Sequence, residues 1–320
     1  MTDIIKGVPI PTAGVALGLA ALGNLLSPLI GFVRPLCGVL SALLVALVIC
    51  KMVMFPQMIK EDFKNPILAS VSATLLMALM QLAGYIAPVA YPLAFALWGS
   101  AIVAHLTLMA WFAGRYFRSF KLDQVFPTYF ICYVGIIVAS VTSPIFGMEA
   151  VGHVLFWFGF ACYPVLLGLI TYRYAKHPVP GAARPLFCIY SAPASLSIAG
   201  YLAVTDAPNL LFVGVLLMFA QAFFAIVLVK VPAFVRGGFF PSYAAMTFPF
   251  VITATALMLS LEAFAEAGFA SPFILQALCI AEIMFATGMV AFVLARYVAF
   301  LAKPALEARA LRMEAVEPGM

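Results

Sequence analysis

Three ionisable residues within apolar runs have side chains able to move protons or bind ligands and are singled out: Glu282 in "CIAEIMFAT", His105 in "IVAHLTLMA" and His153 in "AVGHVLFWF". Ionisable groups in such surroundings are functional candidates by default. For Glu282 two readings stand: a structural carboxyl, protonated or paired at a contact between protomers, or a proton-coupling group. His105 is read as a hydrogen-bonded bundle residue and His153 as an interfacial one. The six cysteines, Cys37, Cys50, Cys132, Cys162, Cys188 and Cys279, all fall in apolar runs, with no CxxC pair and no histidine at metal-ligand spacing. They read as buried thiols, so neither zinc nor a disulfide framework is expected. No Ser/His/Asp, HExxH or Cys/His constellation occurs at usable spacing, which argues against an enzyme and against a cofactor.

A different kind of chemistry is offered by "FFPSYAAMTFPFV", residues 239–251. Pro249 follows Pro241 by eight residues inside a long apolar run, flanked by Phe248 and Phe250. An interior proline removes a helix hydrogen bond and costs roughly 3 kcal/mol.

The elements that carry these residues follow from composition. The chain is 66% hydrophobic and 9% charged, with a mean hydropathy of +1.14, outside the range of a soluble domain. Runs long enough to cross the hydrocarbon core lie at 8–31, 35–54, 66–87, 91–114, 127–144, 148–171, 185–204, 208–230, 241–261 and 272–300. They are called segments 1 to 10, in one all-α membrane domain over 1–304 with a short cytoplasmic tail over 305–320. The first run is too long and too glycine-rich for a removable signal peptide and is kept as a segment. Trp98, Trp111 and Trp157 read as packing or interfacial aromatics.

Sixteen of the seventeen basic residues fall at the termini and in the connections after segments 2, 4, 6 and 8; Arg34 alone lies opposite. Lys and Arg are retained on the cytoplasmic side, so both termini are expected there. The net charge of +5 then needs no nucleic acid to explain it.

A repeat underlies the ten runs. Pro11, Pro66, Pro127, Pro185 and Pro241 open the odd segments at steps of 55, 61, 58 and 56 residues. Proline suits a helix start, where its missing N–H would be unpaired anyway. Each unit holds two segments, so all units begin on the same face, and five parallel hairpins predict a quasi-five-fold ring. Twenty-residue windows in the odd segments hold 23 Gly, Ser and Thr against 11 in the even ones, and no Asp, Glu, Lys, Arg or His. The odd segments are therefore expected inside and the even ones outside, around a neutral passage.

Alignment on the opening prolines puts Leu19, Thr74, Gly135, Pro193 and Pro249 at one depth, and Gly18, Ala73, Val134, Ala192 and Phe248 one residue earlier. Pro193 and Pro249 would free the carbonyls of Ile189 and Ala245. Broken backbone at membrane depth is tolerated where it is buried in protein or lines a cavity. A kink serving packing alone remains the alternative. Phe248 is the one large side chain at its level, placed to plug a passage that excludes water.

With "GGFFPSYAAMTFPFVI" as its most specific part, the chain over roughly residues 5 to 302 resembles the tellurite-resistance/dicarboxylate transporter family, bacterial TehA-type homologues of plant guard-cell slow anion channels. The resemblance implies a homotrimer in the bacterial inner membrane, with a pore in each protomer lined by the odd helices and occluded by a helix 9 phenylalanine, matched here by Phe248. It also implies bends in most inner helices, which in segments 1, 3 and 5 would rest on Gly18, Gly84 or Gly135. The function expected is gated passive passage of small inorganic anions such as chloride or nitrate. The alternative is a coupled carrier of C4-dicarboxylates or tellurite-type oxyanions, for which the odd segments offer no titrating group.

Overall fold

The computed structural model describes residues 2–316, and among the described residues every regular element is helical. Eight helices are long and apolar enough to cross a membrane. Segments 1 and 5 hold shorter ones: Thr12–Leu26 is one helix, whereas segment 5 is divided into Thr128–Tyr133 and Ile137–Thr142. The last helix starts at Phe273 and runs to Val316, through most of the 305–320 stretch; the final four residues lie outside the described ones.

Neighbours follow the repeat. Segment 1 packs on 3, 3 on 5, 5 on 7 and 7 on 9, and segment 9 returns to pack on 1, while each even segment lies against its preceding odd partner. Burial separates the two sets: the apolar windows of segments 3, 7 and 9 are 78%, 83% and 72% buried, those of the five even segments 28–39%. The even segments turn large apolar side chains such as Leu43, Leu93 and Val229 outward.

Four odd segments are interrupted at similar depth. Segment 3 breaks at Ser72, between Pro66–Val71 and Ala73–Ile86. Segment 5 breaks over Val134–Ile136. Segment 7 is a 3-10 helix over Gly181–Ser191 that becomes an α-helix at Ala192. Segment 9 is a 3-10 turn over Pro241–Met246, then Thr247 at φ −110°, ψ −89°, then an α-helix from Phe248 to Glu266. Segment 1 is continuous through Gly18, and Gly84 lies inside an unbroken helix, so neither glycine interrupts its helix. Gly18 serves close approach instead: a Cβ there would come within 2.6 Å of Thr247 Cβ.

Hydrogen bonds close the breaks, because a freed backbone group at membrane depth needs a partner. Thr247 Oγ1 donates to Gly14 O at 3.0 Å or Ala244 O at 2.7 Å, tying segment 9 to segment 1. Thr253 Oγ1 lies 3.3 Å from Ser191 O and 3.2 Å from Ser195 Oγ, joining segments 7 and 9. The Ile189 carbonyl is not left free: the Ala192 N–H takes it, because the 3-10 path closes three-residue steps. In segment 5 no backbone N–H at Ile136 reaches the Cys132 carbonyl. His105 Nε2, fully buried on segment 4, lies 2.9 Å from that oxygen and donates to it as the Nε2–H tautomer. His105 therefore completes a broken helix. His153 is exposed and accepts from Trp157 Nε1 at 2.9 Å, on the same helix. Trp98 is buried and donates to Thr142 Oγ1 at 2.8 Å, while Trp111 is exposed.

The cysteines are all free, but only four are buried: Cys50 is exposed on segment 2 and Cys162 is half-buried on segment 6. Both sit on outward-turned helices, where an apolar run has no need to bury every side chain.

Two substitutions test these constraints. His105→Ala strands the Cys132 carbonyl and is expected to lower unfolding free energy by roughly 1–3 kcal/mol, read from denaturant unfolding in mixed micelles. Gly18→Val drives a side chain into Thr247 and is expected to cost about 1–3 kcal/mol in the same assay, with His153→Ala, which loses only a surface contact, unchanged.

Candidate functional site

The breaks surround a cavity of about 410 Å³ to which all five odd segments contribute. Its wall is apolar apart from Asn65, Thr74 and Ser242, and none of its lining residues is Asp, Glu, Lys, Arg or His. The lining starts at or before the opening residues, as at Pro11, Ala182 and Phe240. It ends within the segments at Leu17, Met77, Gly135, Leu196 and Pro249. The cavity is thus one-sided: beyond these residues the odd segments contribute no further lining.

Phe248, Pro249, Pro193, Gly135, Val134 and Ala192 all line it. Gly18 and Ala73 do not: Gly18 faces Thr247 and Ala73 is fully buried. Leu17 and Thr74 occupy the corresponding wall. Equal residue counts do not keep one direction between segments of different helix type: segments 7 and 9 open as 3-10 helices and segment 1 as an α-helix. An α-helix turns about 100° per residue and a 3-10 helix about 120°. Over seven residues the two diverge by roughly 140°. Hence the same count from the opening proline points inward in segment 9 and sideways in segment 1. The inner end of the wall also carries Leu17, Met77 and Leu196, so Phe248 is the largest group there without being the only large one.

Phe248 is 6% exposed and, among the described residues, stacks on no other ring. Phe250 points the other way, with its ring centroid 5.9 Å from Phe224 and 5.1 Å from Phe285, between segments 8 and 10. The sequence "FPF" thereby divides one aromatic to the cavity and one to the packing behind it. Thr247 and Pro249 hold that division: the threonine is bonded to segment 1, and the proline stands at the first turn of the α-helix, where it needs no N–H partner.

Glu282 lies away from the cavity and is 2% exposed within the single chain, so it is not on a surface open to another protomer. Both carboxyl oxygens lack a hydrogen bond of good geometry, as does the buried Gln221 Nε2 on segment 8, whose side chain is close enough to act on the carboxyl. Among the described residues no group of three or more His, Cys, Asp or Glu could hold a metal ion.

Comparison with known proteins agrees with the helical architecture. A search of curated proteins returns no match. The family model described as voltage-dependent anion channel matches residues 7–298, from the start of segment 1 to the end of segment 10. The chain belongs to that family of membrane anion channels and transporters.

Proposed function

We propose that the chain is a gated, passive conduit for small inorganic anions of chloride or nitrate size. The ten segments each cross the bilayer, as five parallel hairpins in a quasi-five-fold ring with the odd segments inside. The path runs through the cavity and past Phe248, and both termini lie on the cytoplasmic side of a bacterial inner membrane. Three such chains assemble as a homotrimer, each with its own pore, through the apolar outer faces of the even segments. The observation that carries the reading is the cavity itself: it is walled by all five odd segments, free of ionisable side chains, and ends at Phe248.

An anion needs some stabilisation in such a wall, yet conduction requires that it leave again. Helix starts supply a graded form of it. The α-helices beginning at Ala73, Ala192 and Phe248 all start at the inner end of the cavity and run away from it. Their N-terminal dipoles, each equivalent to about half a positive charge, turn toward the space without a fixed cation. Phe248 closes the apolar neck by excluding water, which an anion would have to shed.

One observation favours a second reading. The buried Glu282 without a hydrogen bond would suit a proton-coupled carrier of C4-dicarboxylates or tellurite-type oxyanions. Against it, Glu282 contributes nothing to the cavity wall.

In planar bilayers, Phe248→Ala is expected to raise anion conductance about tenfold or more over the wild type. Unchanged current from a folded variant removes Phe248 as the gate. With a pH gradient and a chloride gradient imposed in opposite directions, the reversal potential is expected to follow chloride alone. A shift toward the proton potential, abolished by Glu282→Gln, would establish coupling.

A further inference from the structure

Arg34, the lone basic residue set apart from the other sixteen, has no carboxylate partner: the ion pairs among the described residues are Lys51 with Asp62 and Lys64 with Glu61. Neutral groups hold it. Arg34 Nε donates to Asn24 Oδ1 at 3.1 Å, Nη2 donates to Gly84 O at 3.0 Å, and the guanidinium carbon lies 4.5 Å from the centroid of the Tyr85 ring. Asn24 Nδ2 in turn donates to Gln81 Oε1 at 2.8 Å.

The platform under the guanidinium is built. Tyr85 OH donates to Ala20 O at 2.6 Å. Its ring lies against Gly38, where a Cβ would come within 2.6 Å of a ring carbon, and its hydroxyl lies against Gly23, where a Cβ would collide with the oxygen. Side chains at either glycine would expel the ring. Two of the five guanidinium N–H groups are spent on these contacts, leaving three. Gln81 Nε2 donates to no acceptor among the described residues, although the residue is only 5% exposed.

The register places this cluster beyond the neck. Asn24 follows the cavity-lining Leu17 by seven residues in one continuous helix, and Gln81 follows the cavity-lining Thr74 by seven in another. Seven residues are two turns less about 20°, and about 10 Å of rise. Both amides therefore continue the wall past the end of the cavity. Carbonyl acceptors orient the guanidinium without neutralising it, so a full positive charge stands beside two amides on the closed side of the path.

We propose that Arg34, Asn24 and Gln81 form a binding site for a small inorganic anion on the far side of Phe248 from the cavity. The inference rests on the conduction reading for its place in the path, but the site binds whether or not the path conducts. The guanidinium supplies charge and its free N–H groups, and the Gln81 amide a further donor.

Binding is read first by thermal unfolding of the detergent-solubilised protein titrated with sodium nitrate, sodium gluconate holding ionic strength constant. Nitrate is expected to stabilise the wild type and Phe248→Ala alike, with the half-effect concentration raised at least tenfold in Arg34→Gln. Equal titrations for wild type and Arg34→Gln overturn the site. In bilayers, Phe248→Ala/Arg34→Cys is then treated with charged methanethiosulfonate reagents, Phe248→Ala alone serving as control for the native cysteines. The cationic reagent is expected to restore anion current several-fold and the anionic one to depress it. Equal responses to both reagents, in a channel already shown to be folded by its current, overturn the site as well. Arg34-dependent nitrate stabilisation without any current in Phe248→Ala would uphold the site and reject the conduction reading.

Discussion

In hydrocarbon no water stands ready to take a freed backbone group, and this fold breaks its inner helices nonetheless. Its organisation follows from how those breaks are closed. His105 on segment 4 takes the Cys132 carbonyl of segment 5, Thr247 reaches from segment 9 to segment 1, and Thr253 with Ser195 joins segments 7 and 9 at Ser191. These repairs are made by a neighbouring segment, tying one broken helix to the next, whereas the Ile189 carbonyl of segment 7 and the break at Ser72 are served from within their own segments. The breaks lie at similar depth, and that is where the cavity ends.

Packing between the segments has the same dependence. Lipid tails are as apolar as leucine, so burying leucine between helices gains little; close contact and interhelical hydrogen bonds must do the work. Gly18 lets Thr247 approach segment 1 closely enough to reach Gly14 O, and Ser41 Oγ reaches Ala16 O at 2.7 Å from segment 2. The excess of Gly, Ser and Thr in the odd segments is thus spent mainly on joints, and the cavity wall receives what is left, mostly Ala, Leu, Ile and Pro. A wall of that kind repels water more than it attracts anions.

Much of this was legible in the chain. Five opening prolines at nearly constant steps gave the neighbour order, and the absence of charge from five windows gave a cavity without ionisable lining. Phe248 was legible as a cavity residue by its bulk at the register of Pro249. Counting failed at two positions: Gly18 and Ala73 do not line the cavity, while Leu17 and Thr74 do. The break at Ser72 carries no proline or glycine signal, since the Ser72 hydroxyl donating to Ala69 O at 2.6 Å is chemistry any serine offers in a helix. His105 is the hydrogen-bonded bundle residue the chain suggested, and only its partner, the Cys132 carbonyl 27 residues away, was not legible. Arg34 was visible only as an exception to the charge pattern; its amide partners emerge when segments 1 and 3 are side by side.

The placement of Glu282 limits what a proton there can do. It lies on segment 10 behind segment 9 and contributes nothing to the cavity wall, so its charge meets a permeating ion only through intervening protein. The contact available to it is mechanical: Phe285, one turn on, packs against Phe250, and Phe250 is two residues from Phe248. Pro249 stands between the two residues in the chain, at the first turn of the helix. Under the proposed gate, a change at Glu282 would reach Phe248 only through this packing. Coupling of a proton at Glu282 to an anion in the cavity would have to act between two separate sites, through segment 9, since Glu282 is no part of the cavity wall.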